Sequence, residues 1–220
     1  MSLPELSILE IRVLGVLVEK ERTVPDAYPL SLNALILGCN QKNNRTPVLQ
    51  VSEREVQAAL DALRPLSLVI ESSGSRVMRF SHNLGRVLRI DEQAVALLAA
   101  LMLRGPLTLG ELRTNADRLD RFPDLGSVER RLRELAARSA TQGGPLVALL
   151  PRAPGEREPR WAHLLSGAPA IASGSTAEVA APAPRSDPDL ARLQAEVASL
   201  TAEVAELRRI VDSLARSAGD

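Results

Sequence analysis

Apolar residues recur along this chain first at helical spacing and then in short extended runs, and that order occurs twice. Leu6, Leu9, Val13, Leu14 and Leu17 are three to four residues apart, as one face of a helix requires. Ser7 and Glu10 stand at the S-x-x-E spacing in which hydroxyl and carboxylate satisfy each other's end amides, so a helix is predicted from Ser7. The polar run Glu19 to Arg22 is expected to end it, with Pro25 in the loop beyond. The stretch Tyr28 to Pro47, YPLSLNALILGCNQKNNRTP, then reads as a short apolar helix entered at Ser31 and broken by the polar loop Asn40 to Arg45. A second S-x-x-E box, Ser52 to Glu55, heads a helix with Val56, Ala59, Leu60 and Leu63 on one face, stopped by Pro65. Leu68–Glu71 and Val77–Phe80, around Ser72 to Ser75, read as a β-hairpin.

The same order follows again. Pro29, Leu30, Ser31, Leu32 and Leu35 are matched by Pro106, Leu107, Thr108, Leu109 and Leu112, 77 residues on (29 to 106). Val56, Leu60 and Leu63 are matched by Val128, Leu132 and Leu135, 72 on (56 to 128), and Arg79, Phe80 and His82 by Arg160, Trp161 and His163, 81 on (79 to 160). Loops absorb the differences: the polar loop lengthens the first copy, and a longer hairpin between Leu150 and Arg160 the second. Asp91 is the expected N-cap of the second copy's first helix, which carries Val95, Leu98, Leu101 and Met102 and stops at Gly105 and Pro106. Helix, helix, helix, hairpin is the winged-helix order.

After Leu165 the chain turns to Ala, Pro, Ser and Gly, the composition of a flexible linker. Leu190, Leu193, Val197, Leu200, Val204, Leu207, Val211 and Leu214 then alternate spacings of three and four. Val at three of the a positions and Leu at d predict a parallel two-stranded coiled coil, and so a homodimer. The expected fold is therefore mainly α with small β-hairpin wings (α+β). It comprises a first winged-helix domain at 1–85, a second at 86–166, a linker at 167–188 and a coiled-coil helix at 189–217.

Composition narrows the function. Lys plus Arg equals Asp plus Glu at 27 each, so the chain as a whole has no electrostatic attraction to nucleic acid and any such contact needs a local patch. Aromatics are only 2%, which leaves small cores to Leu, Val, Ile and Ala. A single cysteine, Cys39, excludes internal disulfides and cysteine-rich zinc sites. Met1 to Glu10 lacks a basic start, and no apolar run nears the ~18 residues of a membrane span, so the chain is expected to be cytoplasmic with no membrane partner.

Few residues suggest chemistry. No phosphate-binding glycine loop, catalytic carboxylate pair or His-rich metal spacing occurs, so neither an enzyme nor a cofactor is expected. His82 and His163 stand at equivalent repeat positions, which favours a packing or wing-anchoring role, and Cys39 reads as a small buried hydrophobe. In the polar loop, Gln41, Lys42, Asn44 and Arg45 are candidate contacts to phosphates or a partner. The alternative is a capped, hydrogen-bonded turn.

The outward faces of the two third helices differ. The first presents Arg54, Glu55, Ala58, Asp61 and Ala62, a face suited to another protein. The second presents Arg130, Arg131, Arg133, Glu134 and Arg138, a local excess of arginine that makes double-stranded DNA the expected partner there. An ordinary solvated helix face is the other reading.

The segments YPLSLNALILGCNQKNNR, VSEREVQAALDAL, LRGPLTLGELR and LLPRAPGEREPRWAHL occur in this order. Together they resemble the bacterial YceH family over roughly residues 5 to 166. The resemblance implies tandem winged helices and carries over no catalytic residue, since the family's molecular function is not established. The expectation is a non-enzymatic protein that is DNA-associated or regulatory, with a protein-interaction scaffold as the alternative.

Overall fold

Side-chain caps fix where the helices begin. Ser7 and Glu10 form a reciprocal box at the start of α1 (Ile8–Thr23), with the Ser7 amide donating to Glu10 Oε2 at 2.8 Å. The second box, Ser52 with Glu55, starts α3 (Glu53–Leu63), and Ser31 caps α2 (Leu32–Cys39) between them. Thr108 and Glu111 repeat the box at α6 (Leu109–Ala116), while Asp91 and Asp124 cap α5 (Glu92–Arg104) and α7 (Leu125–Ala136). Each cap satisfies amides that the first helical turn leaves open.

The computed structural model describes residues 4–73, 77–152 and 155–167. Among them, helices combine with two small antiparallel sheets, an α+β arrangement. In the first sheet β1 (Leu30–Ser31) and β2 (Val69–Ser72) flank β3 (Arg79–His82), with Leu30 opposite Phe80 and Val69 opposite His82. In the second, β4 (Val147–Leu149) pairs with β5 (Trp161–His163), and Leu107 bridges Trp161. Leu30–Phe80 and Leu107–Trp161 are the residue pairs that the repeat offsets match, so the internal repeat extends to sheet register. A short helix α4 (Leu84–Leu88) joins the two copies. The coiled-coil seam Leu190, Leu193, Val197, Leu200, Val204, Leu207, Val211 and Leu214, and the linker after residue 167, lie outside the described residues.

Three expectations shift. The polar run Glu19 to Arg22 does not end α1; it forms its last turns, and the helix stops at Thr23. The hairpin strands sit one and two residues later than the apolar runs suggested, because Phe80 must face the core opposite Leu30 while Val77 and Met78 stay exposed. The buried face of α1 is also wider than one stripe: Ile11 to Glu19 are all buried.

That width comes from position. α1 packs on α2, α3 and β3 from its own copy and on α5 of the other, and α5 is buried continuously from Ala94 to Leu103. A helix apolar all round is a helix enclosed all round. Gly15 marks the closest approach, since a Cβ there would stand 2.9 Å from the Leu103 side chain. The core runs without a break through both copies, from Leu6 to Leu165.

Gly38 in α2 is equally tight. A Cβ there would meet Val16 Cγ1 at 2.5 Å, and a β-branched side chain has few rotamers to move into. Gly38→Ala sets an overpacking cost of about 1 to 3 kcal/mol against a helix-propensity gain of about 1 kcal/mol, so a net loss is expected. Gly110, exposed in α6 with nothing within 4 Å of its Cβ position, should show only the gain. Urea denaturation of the two variants checks the opposite signs.

Candidate functional site

The polar loop after α2 is tied down residue by residue. Asn40 ends the helix, and its side chain closes the loop against Val51, donating to the carbonyl at 2.8 Å and accepting from the amide at 2.7 Å. Asn44 adopts φ 61°, a conformation that asparagine tolerates better than most residues. Its Oδ1 accepts from Arg104 Nη2 at 2.5 Å, and the Thr46 amide donates to the Leu103 carbonyl at 2.8 Å. The loop of the first copy is thereby latched to the last turn of the second copy's first helix.

Two buried arginines hold the latch from inside. Arg45, only 4% exposed, donates to both oxygens of Glu19, at 3.2 and 2.5 Å. It also donates to the carbonyls of Gly38 (3.2 Å) and Asn44 (3.0 Å) and to Gln41 Oε1 (3.1 Å). Arg12, 1% exposed in the middle of α1, donates to the carbonyls of Cys39 at 3.2 Å and Pro47 at 2.5 Å. Burial pulls the Glu19 carboxyl upward, but the Arg45 hydrogen bonds and charge outweigh it, so its pKa lies below the ordinary value. Burial, followed by the charge of Arg45, holds the Arg12 guanidinium below its usual range.

The loop candidates therefore divide. Arg45 is not a surface contact, because its donors are engaged inside the protein, and this corrects the expectation that it faces phosphate or a partner. Gln41 is half-buried with its oxygen on Arg45, and Asn44 is half-buried on Arg104. Lys42 alone of the four is exposed, with no ion pair among the described residues.

The arginines of α7 divide as well. Arg131 pairs with Glu134 (2.7 Å) and with the capping residue Asp91 of α5 (3.0 Å). Arg133, exposed, donates from Nη2 at 2.6 Å and Nε at 3.2 Å to a single oxygen, Glu129 Oε1. Arg138 turns away from the helix face onto the carbonyls of Leu88 (2.7 Å), Gly144 (3.3 Å) and Gln142, joining α4 to the loop before β4. This removes Arg138 from an outward basic face. Of these four arginines, Arg130 is the one that is exposed and has no hydrogen bond or ion pair among the described residues.

The two histidines stand at the same sheet position with different surroundings. His82 Nε2 lies 2.8 Å from Glu21 Oε2, while its Nδ1 accepts from the Leu84 amide at 3.4 Å. His163 is pushed down to about 4 by desolvation, so it is neutral at pH 7, and its Nδ1 has no partner among the described residues. Cys39 is fully buried, and burial pushes its thiol up to about 12, which leaves it unreactive at neutral pH.

At the junction of the copies, the loop candidates Gln41 and Asn44 join residues that no sequence pattern singles out. Glu19, Lys20 and Thr23 of α1, Gln41 and Asn44 of the loop, Arg104 of α5, and Asn115 and Arg118 at the end of α6 line a cavity of about 160 Å³. A lone arginine inside the apolar run IRVLGVLV was the available signal that α1 meets carbonyls or carboxylates in its interior. No helix among the described residues is long and apolar enough to cross a membrane.

The family described as "Protein of unknown function, DUF480" matches residues 6–156. The chain belongs to the DUF480 family. Its relatives include a UPF0502 protein of Acidovorax sp. (strain JS42), 58% identical over 185 residues, covering 84% of this chain and 82% of the relative. A UPF0502 protein of Dechloromonas aromatica (strain RCB) is 59% identical over 174 residues, 79% of this chain and 80% of the relative. One from Burkholderia vietnamiensis (strain G4 / LMG 22486) is 54% identical over 216 residues, 98% of this chain and 86% of the relative. The YceH-type resemblance drawn from the motifs thus holds for this DUF480 chain.

Proposed function

We propose that this DUF480 protein is a non-enzymatic regulatory scaffold in which two winged helices, α1 to β3 and α5 to β5, dock partner proteins. The observation that carries the reading is the state of the surfaces a winged helix would offer to DNA. On α7, Arg131 and Arg133 are held by carboxylates of their own helix, and those carboxylates would face the phosphates as well. The outer face of α3 carries Glu53, Glu55 and Asp61 against Arg54. The first hairpin exposes Ile70 (47%), Val77 (54%) and Met78 (44%) where a phosphate contact would need donors. Apolar groups rimmed by mixed charge suit a protein surface better.

DNA binding through α7 is the second reading, favoured by Arg130 and by the low cost of exchanging exposed ion pairs such as Arg133–Glu129. Dimerisation through residues 189–217 belongs to the same proposal and rests on the heptad pattern alone.

A salt-dependent titration with duplex DNA separates the readings. The scaffold reading expects only weak binding at physiological salt, with Kd no tighter than the 10⁻⁴ to 10⁻⁶ M of nonspecific contacts. A nanomolar complex whose salt slope falls by about one for each of Arg130→Ala and Arg133→Ala would replace it with the DNA reading.

A further inference from the structure

The junction cavity is rich in donors and poor in acceptors. Lys20, Arg104 and Arg118 line it against one carboxylate, Glu19, and that carboxylate is already taken by Arg45 at 2.5 Å with Lys20 at 3.6 Å. Arg118 has no hydrogen bond or ion pair among the described residues, and Arg104 has only the amide oxygen of Asn44. The like charge of Arg118, after burial, lowers the pKa of Arg104 and the Glu19 charge opposes it, so the two guanidiniums stand near each other with one carboxylate in reach, which Arg45 already holds. The C-terminal ends of α1, α5 and α6 bring roughly half a negative charge each, which offsets part of the excess of Lys20, Arg45, Arg104 and Arg118 over Glu19 and leaves the rest.

The amides add to the imbalance. A guanidinium can only donate, so Asn44 and Gln41 must turn their oxygens to Arg104 and Arg45. Their NH₂ groups are the halves left over, and neither has an acceptor among the described residues. Asn115, also without a partner there, lines the same space. At roughly 30 Å³ per water, a volume of about 160 Å³ has room for a tetrahedral oxyanion with water around it.

We propose that this cavity is a binding site for a phosphate-type oxyanion, held by Arg104, Arg118 and Lys20 with the amides of Gln41, Asn44 and Asn115. Two arginines and convergent NH donors are the usual recognition set for such an ion. Its walls come from both copies, so an occupant ties α1 and the polar loop to α5 and α6. The site is independent of the scaffold reading: it can be filled by a free oxyanion or by a backbone phosphate of DNA, and the test has an arm for each.

Calorimetric titration of the full chain with inorganic phosphate, against chloride at equal ionic strength, is the first arm. Titration with duplex DNA is the second. Arg118→Gln and Lys20→Gln are compared, in the phosphate arm, with Arg130→Gln, an exposed arginine outside the cavity lining, after circular dichroism has established that each is folded. The expected result is saturable phosphate binding that chloride does not reproduce, weakened at least tenfold by Arg118→Gln and less than twofold by Arg130→Gln. If phosphate gives no more heat than chloride but Arg118→Gln weakens DNA binding tenfold, the oxyanion is a DNA phosphate, and the scaffold reading falls while the site stands. If Arg118→Gln changes neither titration beyond twofold, the proposal is overturned.

Discussion

Arg45→Ala is expected to lower the unfolding free energy by about 3 to 5 kcal/mol, whereas Lys42→Ala, three residues away, should stay within about 0.5 kcal/mol. Arg45 has no exposed side-chain surface and Glu19 about 10%, so removing the guanidinium strands a carboxylate that water barely reaches. The carbonyls of Gly38 and Asn44 lose a donor at the same time. Acid should shrink the difference. Glu19 has a depressed pKa in the native protein, so its contribution is full above the ordinary carboxylate value and is lost as pH falls through the native one. Without Arg45 the burial effect, which raises the pKa, is opposed only by Lys20, so the variant's Glu19 takes up its proton sooner. Denaturation at a series of pH values from neutral downward should show the two proteins converging. A penalty that stays constant with pH would mean that the pair is not the cause.

Leu35→Ala is expected to cost about 2 to 5 kcal/mol through lost burial and the cavity left behind. Leu35 is fully buried on the face of α2 that meets α1 and α3, and α1 cannot close the gap because α5 holds its other side. Leu37, two residues on and 74% exposed, supplies the control. Its truncation should change stability by no more than about 0.5 kcal/mol. Equal melting temperatures for the two variants would contradict the assignment of α2's inner face.

Local chemistry was legible in the sequence, and partners distant along the chain were not. Ser7–Glu10 and Ser52–Glu55 are each closed by groups three residues apart, so their spacing alone located α1 and α3. The repeat offsets match Leu30 to Leu107 and Phe80 to Trp161, but that Leu30 meets Phe80 and Leu107 meets Trp161 across a sheet emerges only from the fold. Arg45 is the opposite case. Six polar residues in a row looked solvent-facing, yet the partner of Arg45 lies 26 residues away in α1, and no local pattern encodes that distance. The α7 face falls between the two. Glu129 and Glu134 sit at helical spacing from Arg133 and Arg131 and could be paired from sequence, whereas Asp91 reaches Arg131 only once α5 and α7 meet. The junction cavity draws on α1, the loop, α5 and α6 together, so nothing short of the folded chain assembles it.

The polar loop couples the two copies into one folded unit, and Trp161 provides the probe. It is the only tryptophan, it is buried in the second copy, and it lies far along the chain from Arg45. Guanidinium unfolding of the full chain, followed by tryptophan fluorescence with and without Arg45→Ala, measures the coupling directly. The expected result is a single transition whose midpoint moves down in the variant, with the second copy reporting damage done in the first. A Trp161 transition left in place while circular dichroism shows a separate, earlier loss of helix would mean that the two copies fold independently and that the loop does not join them.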